Sequence, residues 1–397
     1  MVGRRAFLAG MGAVALTAPT ATAWAGPRRR SVQAGLPLTV VNNSGEFGNG
    51  SIRMYVVGSD LESKTQSRVT ADGRLVPVSL SDNGSDGFAD YAIPLSGSGE
   101  TTLNLPSMSG RIYFALGGEL KFKVVADGNG NPALQYPAGW VESDPNFRLL
   151  HDCVEFTYVA PGVGELNPGM YCNTTMVDQF CVPLAITLDG SRSQTTGTLV
   201  GGGRKRIFAQ VAAQDSFSSL VVDDLRVIAP GHGLDGGRFG RNYYQSYIDR
   251  VWERYRGTDL RVRTNKGLFT GRVNSADELA FVSDGGDRTT PFARPSTRDV
   301  LFCDGALTSP NDGITGPVGA ILGAGLNRST VHSHTDQPTT DAGSFYRDPI
   351  TNHYAKILHS NTVDGRAYGF AYDDVAEFAS YVQDTSPSRF TVTLTPF

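Results

Sequence analysis

The chain has 397 residues, 40% of them apolar and 10% aromatic, which is enough nonpolar material for two packed cores and excludes a disordered tail. A formal charge of −4 removes the electrostatic footprint expected of a nucleic-acid binder, so a neutral polymer is the easier partner. The 47 glycines, with few long helical patterns around them, favour a β-rich body whose loops carry function.

Taken in chain order, residues 1–25 read as a twin-arginine signal peptide. Arg4 and Arg5 precede Phe7, Leu8 and a weakly apolar stretch, which ends in small-residue sites at Ala21-Thr22-Ala23 and Ala23-Trp24-Ala25. A membrane anchor is the competing reading, and Thr17, Pro19, Thr20 and Thr22 interrupt the apolar run it requires. The mature chain is expected to be secreted, mildly acidic and monomeric, and to be soluble because no other segment approaches ~18 consecutive apolar residues. Arg28–Arg30 read as a solvated mature N-terminus.

From Leu36 to about Leu188 the pattern is strand and turn. It includes "LPLTVVNNSG", "SIRMYVVGSD", "GRIYFALGG" and "LKFKVVADGNGNP", punctuated by Gly, Asn and Pro as in an antiparallel sandwich or barrel. Between about Gln194 and Asp364 the character becomes mixed α/β. Tyr244, Tyr247, Ile248, Val251, Trp252 and Tyr255 follow helical spacing, with Gly257 as the stop. Further helices are expected in "GPVGAILGAGLNRS" and "TNHYAKILH", and a strand in "LRVRT". The C-terminal "RFTVTLTPF" alternates as a half-buried strand, Phe390, Val392 and Leu394 against Thr391, Thr393 and Thr395. The expected organisation is a β domain from residues 36–193 and 365–397, into which a mixed α/β domain, residues 194–364, is inserted.

Two carboxylates carry the candidate chemistry. In "DCVEFTY", strand geometry puts Cys153, Glu155 and Thr157 on one face and Val154, Phe156 and Tyr158 on the other. In "NTTMVDQF", a strand would place Asp178 with Met176 and Phe180, surroundings that raise a carboxyl pKa unless a partner compensates. The bland alternative is two strand-end charges. His332 and His334, with Asp336, could bind metal but read more simply as a loop pair, and Asp373 and Asp374 could line an acidic cleft or hold a turn. Residues 200–203, "VGGG", lack the context of a phosphate loop. Cys153, Cys172, Cys181 and Cys303 are even in number, and in an exported chain they imply two disulfides of undetermined pairing rather than a zinc site.

The stretches "SDPNF", "VEFTY", "YCNTTMVDQF", "PSTRDVLFCDGAL" and "YAKILHSNTVDGRAYGFAYDDV" together resemble glycoside hydrolase family 64, the β-1,3-glucanases. The last also looks like the aromatic-plus-two-aspartates signature of thaumatin-like proteins. The resemblance implies a thaumatin-like β domain beside an α/β domain, with a wide groove between them. It implies Glu155 as general acid and Asp178 as general base, with sugar contacts at Thr157, Tyr171, Asn173, Tyr368, Asp373 and Asp374. It also implies an inverting hydrolysis of β-1,3-glucan, with no metal or organic cofactor and laminaripentaose as a product. The loop "VAPGVGELNPGM" is longer than expected for the family and brings in Glu165, a second acid, while Cys181 stands where another residue type is expected. A non-catalytic thaumatin-like β-glucan-binding protein is the alternative that needs no catalytic pair.

Overall fold

The computed structural model describes residues 35–163, 166–310 and 312–397, so the expected leader at 1–25 and the second acid Glu165 lie outside the described residues. The chain forms two compact units, one from Ala34–Tyr243 with Asn352–Phe397 and one from Tyr244–Thr351. No described helix is long and apolar enough to cross a membrane.

The larger unit is built on two sheets. One has five strands in the order Ser193–Thr196, Leu184–Asp189, Arg389–Leu394, Leu36–Asn42 and Thr101–Leu105, with Leu36–Asn42 and Arg389–Leu394 paired in parallel. The other has eight strands, and its main path runs Tyr381–Asp384, Gly169–Asn173, Leu150–Val159, Met108–Leu116, Ile52–Asp60, Gln66–Val69 and Leu75–Pro77. Alternation along each strand decides what lies between the sheets. Leu38, Val40 and Val392 of the smaller sheet join Met54, Ile112, Val154 and Phe156 of the larger one in a single apolar cluster. Each such fully buried side chain contributes about 1.5–3 kcal/mol.

The opposite face of the larger sheet is covered at one end by a second cluster containing Tyr55, Tyr113, Phe122 and Cys153. Glu155 and Thr157, which follow Cys153 on the same face, lie where that cover stops. Register on this sheet is tight at Gly110, where a Cβ would meet the Val57 carbonyl oxygen at 2.2 Å, so a larger residue would push the two strands apart.

Residues 194–243 and 352–364, read from sequence as part of the mixed domain, belong to the β-rich unit. Helix Gly203–Ala212 packs on helix His353–Ser360, and the short strand Gln179–Phe180 pairs with Arg226–Ile228. The change from strand to helix pattern is therefore not the seam between the units. The smaller unit has a five-stranded sheet, in which Asp336–Gln337 lies parallel to Leu260–Thr264, and the helices Gln245–Gly257 and Thr315–Asn327. The aromatic stripe of the first helix is buried, as its spacing predicts. Asp336 pairs with Arg261 at 2.6 Å, and His334 meets the Ser333 hydroxyl. Among the described residues no group of three or more His, Cys, Asp and Glu side chains is arranged to hold a metal ion.

The cysteines correct the disulfide expectation, since all four are buried thiols. Cys172 lies opposite Phe156 and faces the inter-sheet core, whereas Cys153 faces the second cluster, so the sheet itself stands between them. Cys303 caps a helix in the smaller unit and accepts from Asn327 Nδ2. Burial raises the Cys153 and Cys172 thiols well above their ordinary range and pushes Cys181 up to about 12, which leaves little reactive thiolate. Protein unfolded without reductant is accordingly expected to take up four alkylating groups by intact mass, while the native protein reacts slowly. Fewer than four labels on the unfolded chain would mean that a disulfide exists.

A buried cation ties the elements around the acidic residues together. Arg226 is 0% exposed and donates to Gln179 Oε1 at 2.6 Å, Phe147 O at 2.9 Å and Leu149 O at 2.6 Å. Arg226→Met would strand these acceptors and is expected to cost about 2–4 kcal/mol in denaturant unfolding. Unchanged stability would show that the acceptors find other partners.

Candidate active site

Glu155 stands in the middle of strand Leu150–Val159, directly opposite Arg111 on one neighbour and Asn173 on the other. Because paired residues share a face, this register alone brings a guanidinium and an amide to the carboxylate. Arg111 donates from Nε at 3.0 Å and from Nη2 at 2.8 Å, both to Glu155 Oε1, and Asn173 Nδ2 lies 3.4 Å from Oε2. Thr157, one row along, shares a 2.8 Å hydrogen bond with Ser109 across the sheet and pairs with Tyr171.

Asp178 departs from its expected setting. Residues 174–178 form no strand but an irregular link between strands Gly169–Asn173 and Gln179–Phe180. The backbone there is claimed by other parts of the chain: Thr174 N donates to Ser380 O, Met176 N to Tyr368 O, and Ala229 N to Asp178 O at 3.1 Å. The Tyr354 hydroxyl donates to Met176 O at 2.7 Å. Turned by these anchors, the Asp178 side chain meets Arg111 Nη1 at 3.4 Å through Oδ2 and His232 Nε2 at 2.8 Å through Oδ1. One guanidinium therefore spans both carboxylates, whose side chains are 17% and 25% exposed.

Burial alone would raise the Asp178 carboxyl. The His232 hydrogen bond and the Arg111 charge outweigh it and hold the carboxyl below its ordinary value. The partner that the apolar setting required is thus a pair of side chains, and the group stands ionised at neutral pH.

A pocket beside this pair is lined by Arg111, Tyr113, Trp140, Thr175, Asp178 and Gln179. Asn173 Oδ1 and Thr175 Oγ1 are buried without a hydrogen-bond partner in the protein. Such atoms cost about 1–3 kcal/mol each when unpaired, so both are suited to a ligand hydroxyl.

The remaining predicted positions group separately. Asp373 is 0% exposed, and its Oδ2 accepts from Gly369 N at 2.9 Å and meets His359 Nε2 at 3.0 Å. Asp374 is exposed, with the Tyr368 hydroxyl 3.4 Å away. Tyr368 joins the Asp178 segment through its backbone, as the partner of Thr175 and Met176. His332 and His334 lie in the other unit.

Sequence reasoning missed Arg111, His232, Trp140 and Thr175. A lone arginine inside the apolar run "GRIYFALGG" was the one available signal for the first. Nothing in "PGHGLD" marks His232, because its partner is 54 residues away.

The family profile described as Beta-1,3-glucanase matches residues 34–394. Two proteins called glucan endo-1,3-beta-glucosidase, from Cellulosimicrobium cellulans and from Arthrobacter sp. (strain YCWD3), are each 32% identical over 381 residues, 92% of this chain. The chain spans 66% of the length of each of these relatives. Among solved structures, a laminaripentaose-producing β-1,3-glucanase in complex with laminaritetraose is 34% identical, with a TM-score of 0.82 over 92% of this chain and 99% of that one. A β-1,3-glucanase domain from Clostridium beijerinckii is 26% identical, with a TM-score of 0.79 over 94% of this chain and 100% of that one. With a profile covering nearly all the described residues and a β-rich fold shared with these structures, the chain belongs to glycoside hydrolase family 64.

Proposed function

We propose that the protein is a secreted endo-β-1,3-glucanase that cleaves long β-1,3-glucan by an inverting, single-displacement hydrolysis. The observation that carries this reading is the pair of carboxylates held on one guanidinium in a chain of this family. Glu155 acts as the acid. Its Oε1 is taken by two Arg111 donors, so Oε2 is the oxygen that carries the proton to the departing glycosidic oxygen. Asp178, kept ionised, accepts a proton from the water whose oxygen attacks the anomeric carbon from the opposite face. The bond from that carbon to the glycosidic oxygen breaks, leaving Glu155 ionised and Asp178 protonated, and exchange with solvent restores both.

Asn173 and Thr175 supply the polar atoms that would receive sugar hydroxyls, with Thr157 and Tyr171 one row further along the sheet. Short oligosaccharide products, laminaripentaose among them, fit the resemblance to a laminaripentaose-producing enzyme. The thaumatin-like assignment of the β unit rests on the "YGFAYDDV" motif, and export rests on Arg4 and Arg5 with the small-residue sites that follow.

Release of soluble sugars from insoluble β-1,3-glucan by the purified protein tests the activity directly. Glu155→Gln and Asp178→Asn are each expected to lower the hydrolytic rate by about 10²-fold or more while leaving fold and glucan binding intact. A near-normal rate in either variant would remove that residue from its role. Inversion predicts that proton NMR of the first products shows the α-anomer before mutarotation. It also predicts that the two carboxyl groups in a substrate complex stand roughly 6.5–9.5 Å apart, leaving room for the water. Initial release of the β-anomer would make Asp178 a nucleophile instead.

A further inference from the structure

We propose that His232 is a positioning residue for Asp178: seated on Trp140, it fixes one oxygen of the carboxylate while Arg111 fixes the other, presenting the base to water in a single orientation. The proposal rests on the reading of Asp178 as the general base. Its geometry is closed on three sides. His232 lies in the short helix Pro230–Asp235, and the residue just before that helix, Ala229, donates its backbone N–H to the Asp178 carbonyl at 3.1 Å. Backbone and side chain of Asp178 are therefore docked to the same stretch of chain. The imidazole is stacked on the Trp140 indole, with ring centroids 4.2 Å apart and planes 24° from parallel, which holds Nε2 toward Oδ1 at 2.8 Å.

With Asp178 ionised, chemistry assigns the proton to His232 Nε2, which donates. The histidine side chain is 14% exposed and the aspartate 25%, so water reaches the carboxylate while its orientation is held.

Other titratable groups face the pair from the packed elements. Strand Met108–Leu116 supplies Arg111 and Tyr113, and strand Leu150–Val159 supplies His151, Asp152, Cys153 and Glu155. Tyr354 on helix His353–Ser360 adds a phenol kept neutral by burial, and Arg226 is spent on Gln179 and two carbonyls. Arg111 is the cation of this group that reaches Asp178. Loss of His232 leaves Arg111 to oppose burial, and the carboxyl moves upward. Since the base works ionised, the acid limb of activity then moves to higher pH.

The test is the pH profile of kcat/KM on a β-1,3-glucan oligosaccharide for wild type, His232→Ala and His232→Gln, with Asp178→Asn alongside. His232→Ala is expected to lose about 10²-fold in kcat with KM within about twofold, and to shift its acid limb upward. His232→Gln retains an N–H donor and is expected to recover most of kcat and to move the limb back. An acid limb that stays in place in His232→Ala, a loss confined to KM, or a glutamine variant no better than alanine would each overturn the proposal. Activity in Asp178→Asn would instead overturn the underlying reading of the base, so the two failures are distinguishable.

Discussion

Two carboxylates on neighbouring segments repel one another, and each loses solvation as the protein closes around it. The Arg111 guanidinium makes their proximity possible, with Nε and Nη2 on Glu155 and Nη1 toward Asp178. A lysine could not divide itself in this way, because a point charge lacks the planar fork. Arg111 is in place because it lies opposite Glu155 in the sheet, so the electrostatics of the site depend on strand register. A slip of one residue would turn Arg111 into the core containing Ile112 and Phe114 and bring Gly110 to the site. That slip is opposed by the apolar clusters on both faces and by the close backbone approach at Gly110. The burial that stabilises the sandwich is thus also what aims Glu155.

The second carboxylate arrives by a different route. Asp178 is carried by irregular backbone, which has no ladder of its own to fix it. Buried hydrogen bonds do that work, and Arg226 is central among them. By holding Gln179, the residue after Asp178, together with the carbonyls of Phe147 and Leu149, it connects Asp178 to the segment entering the Glu155 strand. Gly139 belongs to the same arrangement. A Cβ there would lie 1.9 Å from Arg226 Nη1, so a glycine is required immediately before Trp140, the residue on which His232 stacks.

These two routes explain what could be read from the sequence. Period-two alternation is local, so the Glu155 strand, its apolar face and the C-terminal strand with Phe390, Val392 and Leu394 were legible. The helix carrying Trp252 was legible for the same reason, with its period of 3.6. Asp178 was found through family resemblance, but its setting was misread, because "TTMVD" alternates like a strand while its hydrogen bonds go to Tyr368, Ser380 and Ala229. Arg111 and His232 were missed since their roles arise from pairings 44 and 54 residues long, which no local pattern encodes. The cysteines misled in the opposite sense. Evenness and an expected export signal suggest bonds, while the faces on which Cys153 and Cys172 lie depend on strand parity and separate them.

The pair Asp373 and Asp374 carries the same lesson into the signature motif. Two adjacent acids in an aromatic-rich loop suggest a polar cleft, yet the two have different surroundings. Asp373 is sealed inside, where it accepts the Gly369 N–H and meets His359, itself held at Nδ1 by Gly365 O. These contacts fold the loop onto its own backbone and set the position of Tyr368. The Tyr368 carbonyl in turn receives Met176 N at 2.8 Å, two residues before Asp178. A continuous path of hydrogen bonds therefore runs from the buried aspartate of the motif through backbone to the segment that carries Asp178. Loss of the Asp373 carboxylate would act on the site through the placement of Asp178, whereas the exposed Asp374 acts at the surface beside the Tyr368 hydroxyl.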